Sequence, residues 1–145
     1  MRDTLRLLSR MLPQGAMDDA VLDAIVLSAC SDGMTGTELE ALAQMASELP
    51  SLAGRDQAAV TERIRQSFER VERDGLEGRL RAFGGESFDD RTRRRIFLAA
   101  ALVQYADGRV TASENEFLLD LSGVLGLDDA TVADVLADIE RNLET

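Results

Sequence analysis

IFLAAALVQYADGRVTASENEFLLDLSGVL, residues 96–125, is the stretch that decides how this chain folds. Ile96 to Ala106 offers almost no polar face, and a helix of that kind is stable only with neighbours on every side. Asp107-Gly108 interrupts the run, and the glycine suits the left-handed residue that ends many helices. Thr111 stands three places before Glu114, the spacing of a capping box, in which each side chain satisfies a backbone donor of the other residue. The stretch reads as helix, tight turn, helix.

The same phrase occurs earlier. AIVLSACSDG (24–33) aligns with AAALVQYADG (99–108), and after a one-residue gap TGTELE (35–40) aligns with TASENE (111–116). Leu42, Met45 and Leu49 then fall opposite Leu118, Leu121 and Leu125. A two-copy repeat of this kind predicts two similar helical hairpins related by a pseudo-twofold axis.

Outward from the repeat, the composition favours helix everywhere: two prolines in 145 residues, with Ala, Leu, Arg and Glu abundant. Residues 1–15 form an amphipathic segment with Leu5, Leu8, Met11 and Leu12 on one face and Arg2, Arg6 and Arg10 on another. Residues 17–49 make the first hairpin. Residues 55–84 make linking helices, with Val60, Ile64, Phe68 and Val71 as the apolar stripe, a Glu69–Arg73 pair one turn apart, and Gly75 and Gly78 loosening the chain. Residues 88–143 hold the second hairpin, opened by Asp89 or Asp90 as cap, and a last helix with Val132, Val135, Leu136 and Ile139 inward. The expected fold is all-α, a single-domain bundle of about seven to eight helices.

Charge narrows the functions. The net charge is −11, and it is uneven: residues 1–54 sum to −5, 55–95 to +2 and 96–145 to −8. This excess argues against nucleic acid as partner, because such binding rests on neutralising phosphates. It leaves room for cations or a basic protein surface. All 16 basic residues are arginine. The absence of histidine removes the usual acid/base group and the commonest metal ligand. With no visible nucleophile–base pair and no phosphate-binding glycine loop, an enzyme is not expected; acid/base work would fall to carboxylates or to Tyr105. The lone Cys30 sits in an apolar run and reads as a small core residue. No window spans a bilayer and the N-terminus lacks a signal-peptide core, so a cytoplasmic location is expected.

The chemistry with internal logic lies in the two turns. Asp32 and Asp107 follow the C-terminal ends of helices, where the macrodipole disfavours a carboxylate. Two readings stay open. The aspartates accept bonds from their own backbone while Glu38 and Glu114 complete caps, or Asp and Glu converge on a hard divalent cation. Residues 107–114 match the second half of an EF-hand loop, but Val103 and Tyr105 stand where its first acidic ligands would be.

SDGMTGTELEAL (31–42) and ADGRVTASENEFLLDL (106–121), in an acidic helical chain of this length, resemble the TerB-like family of tellurite-resistance proteins over roughly Asp18 to Leu143. The resemblance implies a helical bundle without enzymatic activity, associated with tellurite and other chemical stress, that binds a divalent metal cation through surface acids. Carried onto this chain, those acids are Asp32, Glu38, Asp107 and Glu114. It also implies partner proteins within a stress-response complex, with a peripheral seat on the inner face of the membrane and a homodimer both open to it. The first copy departs from the pattern: Ser31 replaces the usual Ala, and one residue is missing before Thr35. The competing reading is a structural or adaptor domain without a ligand, its acids serving only as helix caps.

Overall fold

A computed structural model of the chain describes residues 10–12, 19–31, 33, 56–105 and 112–143. These residues form five helices and, among them, no strand: α1 Asp19–Ser31, α2 Gln57–Gly84, α3 Asp90–Tyr105, α4 Ala112–Leu125 and α5 Asp129–Leu143. The fold is all-α. The segment 34–55, which includes the expected second helix of the first hairpin, and most of residues 1–15 lie outside the described residues. Leu12, from the expected terminal helix, is buried in the core.

The helices without a polar face are the centre of the bundle. In α1 every residue from Val21 to Ala29 is buried. In α3 the buried run is Ile96, Phe97, Ala99 to Leu102 and Gln104. The two helices pack on each other; α2 and α4 cover α1, while α4 and α5 cover α3. Alanines at 24, 99, 100 and 101, each at most 1% exposed, keep the contacting faces low and let the backbones approach.

The outer helices bury one stripe each. Val60, Ile64 and Val71 of α2 are buried and Phe68 packs beside them, as the periodicity predicts. On α5, Val135 and Ile139 are buried with Val132 and Leu136 partly so. Leu76 of α2, beyond the stripe of that helix, is 36% exposed, whereas Leu80 and Phe83 of the same stretch are buried. The reason lies one residue earlier. Gly75 has φ 77° and ψ 168°, which breaks α2 into two helical stretches and resets the face that the next residue presents. That conformation is essentially restricted to glycine.

Three aspartates start helices. Asp56 accepts from the Ala58 amide at 3.2 Å, Asp89 from Thr92 at 2.7 Å and Asp128 from Thr131 at 2.7 Å, each satisfying a donor the helix leaves open. At the other end, α4 closes in a Schellman motif. Gly126 takes φ 71°, its amide donates to Gly123 and the Leu127 amide to Ser122.

The arginine-rich middle of the chain is largely paired within itself. Arg65 bridges Glu62 and Glu69, Arg73 pairs with Asp74, and Arg79 reaches Asp74 at 3.7 Å. The expected Glu69–Arg73 pair is therefore replaced: Arg65 takes Glu69 one turn away, and Arg73 turns to its chain neighbour. In the cluster at the start of α3, Arg93 pairs with Asp90, and Arg94 lies 4.0 Å from Asp138 of α5.

One charged contact crosses the core. Asp23 of α1 is 8% exposed and accepts from Arg63 of α2 at 2.7 Å, with Arg70 4.0 Å away. A carboxylate is tolerated on a buried helix face only with such partners.

Candidate functional site at the shared end of α1 and α3

The two repeated helices meet through a buried polar cluster near their C-terminal ends. Ser28 of α1 donates to the Ala100 carbonyl of α3 at 2.7 Å. Gln104 of α3 answers with its amide nitrogen, donating to the Ser28 carbonyl at 3.1 Å, the Ser28 hydroxyl at 2.9 Å and the Ser31 hydroxyl at 2.8 Å. Ser31 in turn donates to the Ser28 carbonyl at 2.7 Å. Both hydroxyl protons are thus committed elsewhere, and only lone pairs face Gln104. Its nitrogen, not its oxygen, must point there.

The pairing runs in one direction. Ser28 meets Ala100 and Ser31 meets Gln104, so both chains advance toward the same end of the bundle. Ser31 immediately precedes Asp32 in the sequence, and Gln104 precedes Asp107 by three residues. Gly33, which follows Asp32, takes φ 85° and donates to the Cys30 carbonyl at 3.0 Å, the left-handed turn the sequence predicts for the first copy.

Asp32, Glu38 and Asp107 lie outside the described residues, and Glu114 is described only as a backbone position in the first turn of α4. Among the described residues no group of three or more acidic or cysteine side chains is placed to hold a metal ion. The observation that bears on a hard cation here is Gln104. It is 2% exposed, and its amide oxygen is buried without a hydrogen-bond partner among the described residues. An amide oxygen is a donor type that divalent oxygen sites use. Carboxylates flanked by such an acceptor suit calcium, magnesium or manganese better than a soft metal.

Two other reactive groups border this end. Burial, and then the charge of Glu72, push the Cys30 thiol up to about 11. Burial, and then Glu140, raise the Tyr105 phenol above its ordinary value. Both shifts keep the proton on, which works against either group as a nucleophile or base at neutral pH.

Sequence reasoning passes over Gln104 and Ser28, which sit inside runs that read as apolar, and marks Ser31 only as a departure from the family pattern. The available signal was the single amide in a helix with no polar face, since buried polar groups are almost always paired.

The family model described as Tellurite resistance protein TerB matches residues 19–137, which takes in all of α1 to α4 and more than half of α5. The chain belongs to the TerB family. No curated protein and no solved structure matches it. Both Asp-Gly motifs of the sequence lie within the residues matched by the TerB family model. Among the described residues, no helix is long and apolar enough to cross a membrane.

Proposed function

We propose that this TerB-family chain is a non-enzymatic stress-response module, acting in tellurite and other chemical stress, which binds a divalent cation through Asp32, Glu38, Asp107 and Glu114 and docks on partner proteins. Its full architecture is a pair of pseudo-twofold hairpins within a bundle of seven to eight helices, and its place is the cytoplasm or the inner membrane face.

The observation that carries the cation reading is the Gln104 contact with Ser31. It holds the C-terminal ends of the two repeated helices together. Consecutive Cα atoms are about 3.8 Å apart, and in the sequence Asp32 follows Ser31 by one residue and Asp107 follows Gln104 by three, which favours one shared site over two distant ones. The unpartnered Gln104 oxygen supports the same reading as a nearby hard acceptor. A cation supplies charge there that relieves carboxylates set against two helix C-termini.

A specific observation also favours the competing reading. Asp56, Asp89 and Asp128 all act as caps, which makes capping the habitual use of acids at helix starts in this chain. In that reading Glu114 completes the cap of α4 and no ligand is bound.

Calorimetry and thermal melts with Ca²⁺, Mn²⁺ and Zn²⁺ separate the two. The cation reading expects binding heat and a metal-dependent rise in Tm for the wild type, both lost in Asp107→Asn/Glu114→Gln. Equal heats for wild type and variant overturn it. The capping reading expects that variant to lose about 0.5–2 kcal/mol per cap without any ligand effect.

A further inference from the structure

A shallow groove of about 600 Å³ runs between the second stretch of α2 and the outer face of α4. Its floor is apolar: Leu80, Val124 and above all Leu119, which is 58% exposed. The buried face of α4 is Phe117, Leu118, Leu121 and Leu125, so Leu119 points away from the core and is not a frayed part of it. Val124, which lines the groove, also packs against Gly84 of α2, where a Cβ would lie 3.3 Å from it. Beside Leu119 the floor dips at Gly123, where an added Cβ would meet nothing within 4 Å. Leu76, one turn before Leu80, is also exposed.

The rim is charged, and unevenly. Glu77 and Asp120 line the groove, with Glu116 one turn before Asp120 on the same helix; the only cation lining it is Arg81. An apolar trough between acids on both walls complements a helix with an apolar stripe flanked by lysine or arginine. A second copy of this chain brings a net charge of −11 to the same rim and is repelled, and an anionic membrane surface is repelled likewise.

We propose that this groove is the docking site for a basic amphipathic helix of a partner protein, with a leucine-type side chain seated beside Leu119 in the notch at Gly123. The proposal deepens the docking part of the function above and rests on it; it does not depend on the cation.

The test uses the full chain and a fluorescent synthetic helix about five turns long, built from leucine and lysine in amphipathic order, beside a leucine–glutamate counterpart. The wild type binds the lysine helix and not the glutamate one. Leu119→Arg, a change at an exposed position that leaves the circular dichroism and Tm intact, weakens binding about tenfold or more. Glu77→Lys/Asp120→Lys inverts the preference between the two helices. Undiminished binding by both variants overturns the groove while leaving docking elsewhere on the molecule standing. No binding of either helix by the wild type overturns the proposal. Concentration-dependent dimerisation abolished by Leu119→Arg, or binding of wild type to anionic vesicles, overturns it in favour of a second copy or a lipid surface. Asp107→Asn/Glu114→Gln binds the lysine helix as the wild type does, so failure of the cation site reads out separately.

Discussion

The amide nitrogen of Gln104 donates to the hydroxyl of Ser31 at 2.8 Å, joining the last turn of one repeated helix to the last residue of the other. Replacing Gln104 by Leu removes the donor to the Ser28 and Ser31 hydroxyl oxygens, while the Ser28 carbonyl keeps its bond from Ser31. A loss of about 1–3 kcal/mol follows, read from urea unfolding at constant m. Gln104→Glu keeps the shape but has no N–H to offer and sets a carboxylate against lone pairs, so at neutral pH it is the worse of the two. Equal stability of Gln104→Leu and wild type would show that the contact contributes nothing net.

Asp23 and Arg63 form the buried ion pair between α1 and α2. Removing one partner strands the other: Asp23→Leu alone is destabilising, near the low end of the ~3–5 kcal/mol range because Arg63 keeps some access to water. The double variant Asp23→Leu/Arg63→Met regains most of that loss, since two apolar groups need no partner. A double variant as unstable as the single one would assign the loss to packing rather than to charge.

Gly75 and Gly123 give opposite signs for the same substitution. An alanine Cβ meets nothing within 4 Å at either position, so only the backbone decides. At Gly75, φ 77° and ψ 168° make alanine strained by about 1–3 kcal/mol. Gly123 lies within α4, where alanine gains about 0.5–1 kcal/mol from helix propensity. Thermal melts of the two variants check the signs directly.

Cys30 holds its proton to about pH 11 in the folded chain, against an ordinary value of 9.0. Its contribution to stability is full below pH 9 and declines as pH rises from 9 toward 11, because the unfolded thiol ionises first. Alkylation at pH 8–9 is therefore slow in buffer and fast in urea. Cys30→Ala flattens the alkaline fall in stability; an unchanged fall would place its origin elsewhere.

Much of this fold is visible in the sequence because apolar period and helix burial coincide. Ile96 to Leu102 and Val21 to Ala29 have no polar face and are the innermost helices, and the Asp–Gly punctuation places Gly33 in its left-handed turn. What the pattern hides is polar chemistry inside apolar runs. Asp23 and Gln104 are single residues whose partners lie 40 and 73 to 76 positions away, and no local periodicity reports a contact at that separation. The exposure of Leu76 was not legible, because Gly75 marks a loosening of the chain on paper but not which face the next residue presents. The turn acids were legible as a repeated motif, whereas the meeting of the two helix ends that precede them is seen only in the Gln104–Ser31 contact.

A straight rod of twenty-eight residues would extend on the order of 42 Å, well past the roughly 30 Å width of a small domain. The reversed dihedral at position 75 folds that rod like an elbow, so a single element serves as wall to α1 and then to α4. The bend rests there on a backbone conformation that a side chain would strain.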